Sequence, residues 1–285
     1  MANAPAAVRL ACGGVVLIVC AGEPDCYRAE RCGQADVHSA AIKPQIVIIP
    51  SHLTMCPLMP DHSPRALPDS FFDRDAQTLA RELLGKVIRH KVGELWLSAR
   101  IIETEAYYLE EKGSHSSLGY TEKRKGLFLD GGHIYMYYAR GGDSLNFSAG
   151  GPGNAVLIKS AYPWVDALSG ENSLAQMLLN NPDASGNIRP PERLCAGQTL
   201  LCKALGLKVP MWDAKRFDHE QIFVDDVGQQ PAQIIQTTRL GIPAGRDEQL
   251  MYRFVDATYA RFCTRNPIRR GQVEGRDYFI IEQGN

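Results

Sequence analysis

Two carboxylates and a phenol stand at every second position in Ile101-Ile102-Glu103-Thr104-Glu105-Ala106-Tyr107. The run mixes β-branched and apolar residues with acids, which suits a strand whose side chains alternate between faces. On that reading Glu103, Glu105 and Tyr107 share one face, and Ile102, Thr104 and Ala106 take the other. Positions two apart on a strand lie roughly 7 Å from each other, so a base can stand beside an aromatic ring. The plain alternative is an edge strand whose acids face water. A second aromatic-rich strand, His133-Ile134-Tyr135-Met136-Tyr137-Tyr138, moves the balance toward a site. Rings stack on the faces of a flat heterocycle, more strongly when it is cationic. A carboxylate beside them can activate water for attack at an adjoining sugar carbon. Its charge also steadies the oxocarbenium-like state of glycosidic cleavage. A heterocycle held in a duplex must first leave the stack, at a cost of about a few kcal/mol.

Other chemistries fit less well. A dinucleotide or P-loop site needs its glycines between a strand and a helix, whereas Gly150-Gly151-Pro152-Gly153 precedes a strand and carries no Lys-Ser/Thr. The G-x-S-x-G elbow of a serine hydrolase is absent. His115 and His133 stand isolated, so a metal site is not expected. Eight cysteines show neither CxxC nor a zinc spacing, and Cys195, Cys202 and Cys263 read as buried thiols.

The elements that must hold this chemistry begin late. Residues 1–66 hold five of the eight cysteines and an apolar run, 10–21, too short to span a bilayer and without a strongly basic leader. Only 45–49 suggests a strand. Three readings compete: an extension without regular order, a weak targeting segment, or sequence upstream of the true start. The last is favoured, with Met59 or Met55 as the initiator, because clean periodicity begins only at Pro68. Residues 67–285 then form one catalytic-size domain.

Asp73 or Asp75 can cap a helix with Ala76, Leu79, Ala80, Leu83 and Leu84 on one face, closed by Gly85. Strands at 86–91 and 95–107 flank a turn at 92–94, and 108–132 reads as loops. Further strands fall at 133–138 and 155–159, the latter an apolar run ended by Lys159, with a short segment Leu145-Asn146-Phe147 between them. Helical patterns occupy 165–170, 173–179 and 198–205, and 220–270 returns to short strands around Thr237-Thr238-Arg239-Leu240-Gly241-Ile242. Hairpin-linked strands with helices gathered in blocks imply an α+β fold: a single domain with a curved, largely antiparallel sheet flanked by helices. Hydrophobic content of 45% and charged content of 22% describe an ordinary globular protein. The net charge of −1 excludes a chain coated with positive charge, yet Lys123-Arg124-Lys125 and Arg261, Arg265, Arg269 and Arg270 offer local basic strips for phosphate.

Six ordered blocks make the reading more specific. Ile102–Tyr107, His115-Ser116, Gly126-Leu127-Phe128, His133–Tyr137, Leu145-Asn146 and Ala155–Lys159 together resemble the alkyladenine (3-methyladenine) DNA glycosylase family. Leu194-Cys195-Ala196-Gly197, Leu201–Leu205 and the Arg239-Leu240-Gly241-Ile242 turn extend the likeness over roughly residues 68–270. The resemblance implies an enzyme that flips alkylated or deaminated purines from double-stranded DNA and hydrolyses their N-glycosidic bond, with no metal or organic cofactor. It implies Glu105 as the general base, with Glu103 supporting the strand. Tyr107, Tyr137 and His115 would wall the base pocket, the His115 segment also donating a backbone hydrogen bond. Asn146 would lie at the pocket floor, bearing on guanine-type bases. Lys159 stands where the family often has an arginine near the catalytic water. The family's intercalating tyrosine has no clean counterpart: Tyr138-Ala139-Arg140-Gly141-Gly142 is about one residue shorter, leaving Arg140 or Tyr138 to fill the gap. The expected protein is a monomer that keeps off membranes and works in the cytoplasm, on the nucleoid if bacterial. Two other readings remain at this stage: a lesion-binding module without catalysis, and a hydrolase of free nucleosides.

Overall fold

The long strand predicted around Glu105 is the hub of the molecule. A computed structural model describes residues 8–12, 15–19, 63–139 and 141–283. Contacts divide the chain into two units, 1–60 and 61–285. In the first, β1 (Val8–Cys12) and β2 (Val15–Val19) pair antiparallel, from Val8 with Val19 to Cys12 with Val15. This hairpin lies in the apolar run that carried no strand expectation. The strand expected at 45–49, the candidate initiators Met55 and Met59, and Cys20, Cys26, Cys32 and Cys56 lie outside the described residues.

The second unit opens with α1 (Asp69–Phe72) and α2 (Ala76–Glu82). Asp75, not Asp73, caps α2, accepting from the Gln77 and Thr78 amides and so satisfying donors that the first turn cannot. Then β3 (Val87–Val92) turns at Gly93 into β4 (Leu95–Tyr107). The following loops hold two 3₁₀ segments, Ser116–Leu118 and Glu122–Phe128, before β5 (Ile134–Ala139), β6 (Gly142–Ser148) and β7 (Ala155–Pro163).

The helix expected at 165–170 does not form. Asp166 bonds the amides of Leu168 and Ser169 and pairs with Arg89, which is nearly wholly buried, so its side chain competes with the helical ladder. The helix begins beyond this turn as α3 (Gly170–Asn180). Next come α4 (Gln198–Leu205), ended by left-handed Gly206, and the short α5 (Val209–Trp212). Strands β8 (Ile222–Asp225), β9 (Gln233–Thr237), β10 (Arg253–Asp256) and β11 (Tyr278–Glu282) complete the unit, the last unanticipated.

Nine strands form one sheet in the order β11-β9-β10-β4-β7-β6-β5, with β3 beside the first half of β4 and β8 beyond it. Every ladder in it is antiparallel. The fold is thus α+β on an antiparallel sheet, as the strand pattern implied. Helices α2, α3 and α4 pack against β4, β6 and β7. Leu79, Leu174, Leu178, Leu201 and Leu205 of these helices are buried, as are Ile101, Ala106 and Ile158 of the strands. Such apolar burial contributes roughly 25 cal/mol per Å², so β4 is gripped along most of its length. Cys195, Cys202 and Cys263 are buried free thiols, as expected. No described helix is long and apolar enough to cross a membrane.

Candidate active site

The end of β4 is held from both sides, and one edge carries an irregularity. Against β7 the pairs run Ile101–Ala161, Glu103–Ser160 and Thr104–Ile158, so Ile102 on β4 and Lys159 on β7 have no partner across the ladder. Two bulges therefore face each other within three residues. A bulge re-aims a side chain and bends its strand, and here it turns Lys159 toward the acid of the neighbouring strand. Alternation holds from Glu103 onward but breaks at Ile102. That residue packs with Val255 and Ile235, and Val255 lies cross-strand from Glu103.

Glu105 has no solvent exposure. The Tyr107 hydroxyl donates to its Oε2 at 2.7 Å, and the Leu240 amide to its Oε1 at 3.0 Å. Lys159 Nζ stands 3.4 Å from Oε1 and 3.5 Å from Oε2. Burial alone would raise the carboxyl's pKa. The Lys159 ammonium, the Leu240 amide, the Tyr107 hydroxyl and Arg253 outweigh burial and hold it below the usual value. At neutral pH it is an anion. A carboxylate has about four acceptor positions, so three donors leave capacity for one more. Tyr107 is affected in the opposite sense: burial and the adjacent carboxylate push its phenol far above the usual range, keeping it a donor.

Tyr107, whose hydroxyl meets this acid, also lines a cavity of about 130 Å³ with His115, Tyr135, Tyr137, Asn146 and Ile242, among others; Glu105 itself lies behind that wall. Ligand sites for drug-sized molecules are roughly 300–1,000 Å³, so this one suits a single flat ring system. Tyr135 and Tyr137, two apart on β5, stack with centroids 5.5 Å apart, and His115 meets Tyr137 edge-on at 4.4 Å. The imidazole Nδ1 lies 3.2 Å from the Tyr135 hydroxyl. His115 keeps one side open to solvent, but desolvation where it meets the tyrosines, with the Arg124 and Arg246 cations, lowers its pKa. It is a neutral ring at pH 7. The Asn146 amide donates to the Tyr135 carbonyl at 3.1 Å, which fixes its orientation at the pocket wall.

The structure thus brings together Glu105, Tyr107, His115, Tyr137, Asn146 and Lys159. Glu103 stands apart, fully buried and bonded to Arg253 at 2.6 Å, Ser160 at 2.5 Å and the Thr264 amide at 3.1 Å. It ties β4 to β7, β10 and the segment after Phe262. Tyr138 is exposed, and Arg140 lies outside the described residues. Of the basic triplet, Lys123 and Lys125 are exposed, while Arg124 is committed to the Gly119 and Leu118 carbonyls.

Three contributors escaped sequence reasoning: Tyr135, Arg239 and the Leu240 amide. Tyr135 had a visible signal, since it shares a strand face with Tyr137. The turn at 239–242 was visible only as a motif, and nothing local says that it reaches Glu105. A larger cavity of about 350 Å³ lies among Asp69, Asp73, Asp130 and Arg216. Its acids would repel phosphate, and Arg216 already pairs with Asp69 and Asp130. Among the described residues no cluster of His, Cys, Asp and Glu could hold a metal.

The second unit resembles known proteins. A family model described as methylpurine-DNA glycosylase (MPG) matches residues 70–260. A protein of Pseudomonas savastanoi pv. phaseolicola named "Putative 3-methyladenine DNA glycosylase" is 83% identical over 222 residues, 78% of this chain and 100% of its own length. One of the same name from Pseudomonas aeruginosa is 74% identical over 217 residues, 76% of this chain and 91% of that protein. The DNA-3-methyladenine glycosylase of Mus musculus is 33% identical over 209 residues, 68% of this chain and 60% of the mouse protein. The chain belongs to the methylpurine-DNA glycosylase family, hydrolases of N-glycosyl bonds in the base excision repair of alkylated purines.

Proposed function

We propose that this glycosylase draws an alkylated or deaminated purine out of duplex DNA into the aromatic cavity. Glu105 there activates a water for attack at the sugar carbon, releasing the free base and leaving an abasic site. The observation that carries the reading is one carboxylate, shut away from bulk solvent, ionised, and bonded to the hydroxyl of a pocket-lining tyrosine. The attacking water would approach the acid from the cavity, past the Tyr107 hydroxyl that joins the two. Lys159 keeps the acid ionised. The His115 amide, which has no acceptor among the described residues, is free to bond a base edge. Lys123 and Lys125 supply charge for the phosphate backbone. No metal or organic cofactor takes part, and one chain suffices.

The test is release of 3-methyladenine from methylated DNA by wild type and Glu105→Gln, with free nucleoside as comparator. Loss of a general base slows the reaction by roughly 10²–10⁴-fold, while DNA binding survives with a steep dependence on salt. Full activity in Glu105→Gln would refute the mechanism, and hydrolysis of free nucleoside would favour the nucleoside reading. The gap left by the flipped base is assigned to Tyr138, whose ring is 66% exposed at the end of β5. Tyr138→Ala should lower excision from duplex more than from single-stranded DNA. If Arg140→Ala does so instead, the wedge is Arg140.

A further inference from the structure

One cation near the site takes no part in the mechanism above. The Arg239 side chain is fully buried, two residues beyond β9. Its guanidinium carbon lies 4.5 Å from the centroid of the Tyr107 ring and 5.4 Å from that of Tyr252. Its Nη1 donates to the Ala106 carbonyl at 2.9 Å, and it forms an ion pair with Glu111. Glu111 in turn accepts from the Tyr108 amide at 3.1 Å. Three consecutive residues are therefore held by one ion pair: Ala106 by its carbonyl, Tyr107 by its ring, Tyr108 by its amide. The next residue along from the arginine, Leu240, places its amide on Glu105.

Arg239 Nε and Nη2 have no hydrogen-bond acceptor among the described residues. A buried guanidinium with unspent donors costs stability, so a purely structural account of this residue is poor. Its planar head is instead set by two aromatic faces and one carboxylate, an arrangement that a lysine ammonium cannot copy.

We infer that Arg239 is a positioning residue. It fixes the plane of the Tyr107 ring against the cavity and, through the adjoining Leu240 amide, the direction of the Glu105 carboxylate. The inference rests on the glycosylase mechanism proposed above. Displacing reacting groups by about 1 Å can cost on the order of 10²-fold in rate, so small movements of this wall matter.

The experiment measures single-turnover base release and binding to abasic-site DNA for Arg239→Lys, alone and in a Tyr107→Ala background, with thermal unfolding as a check on folding. Arg239→Lys should slow base release by about 10–100-fold while product-DNA affinity is unchanged. The loss should shrink when Tyr107 is already Ala, leaving only the part that acts through Leu240, because residues acting through one another are non-additive. An unchanged rate, or losses that simply add, would overturn the assignment. Should Arg239→Lys not fold, Glu111→Gln, which loosens the same clamp, must show the same non-additivity with Tyr107→Ala. A wild type that releases no base would sink the parent mechanism instead, so the two failures are distinct.

Discussion

Glu103 and Glu105 stand two apart on β4, both without exposure and both beside a cation. Arg253 meets Glu103 at 2.6 Å, and Ser160 and the Thr264 amide complete a close, all-protein shell. Lys159 stays 3.4 Å from Glu105, whose other donors are the hydroxyl of a cavity-lining ring and one turn amide. The first acid is a fastener; the second, on the function proposed above, is the reagent. Identical side chains on one strand face acquire these roles from partners elsewhere in the chain.

The largest expected contrast comes from removing each charge in turn. Glu105→Gln abolishes most base release, by roughly 10²–10⁴-fold, in protein that remains folded. Glu103→Gln does the reverse. Leaving Arg253 buried without its carboxylate destabilises the protein by about 3–5 kcal/mol, which denaturant titration measures, while the folded fraction still excises bases. If both variants lost activity at full stability, the division between the two acids would fail.

A second, smaller effect separates them by pH. Glu105 is held below its ordinary value of 4.5. The stability it contributes is therefore complete above that value and lost as pH falls through the lower folded value. Activity should share that acid limb and stay level above neutral pH, since burial holds His115 below its ordinary value of 6.5. Lys159→Met removes the largest influence that lowers the pKa of Glu105, so that pKa rises and the acid limb of the rate profile moves to higher pH. A limb that stays in place would detach Lys159 from the acid.

The smallest effect lies outside both environments. Lys123→Ala with Lys125→Ala should leave the rate of bound complex unchanged and reduce the salt slope of DNA binding by about 0.9 for each phosphate no longer neutralised. A fall in the single-turnover rate would extend the site to that segment.

Much of the fold was legible because it is written locally. Strand alternation at 103–107, the Asp75 cap with its helical apolar face, and Gly206 after Leu205 each depend on neighbours in sequence. The ring pair Tyr135 and Tyr137 follows from a period of two, although only Tyr137 was singled out. What stayed hidden depends on distant partners. Asp166 reads as part of a helix until Arg89 claims it. Arg239 and Leu240 read as a turn until β9 carries them to the end of β4. The opposed bulges at Ile102 and Lys159 belong to a pair of strands, so neither strand's own sequence announces them.

Those two unpaired positions have a consequence for how the chain tolerates change. Each adds one residue to its own strand, so their offsets cancel and the ladder re-enters step at Thr104 and Ile158. Deleting either alone would slide the remainder of that strand by one place against its neighbour. Where Ile102 is the residue lost, acid and phenol would rotate toward the helices, and buried methyls would take over the chamber. Both irregularities must be present together or absent together, a single length adjustment shared between two distant stretches of the gene.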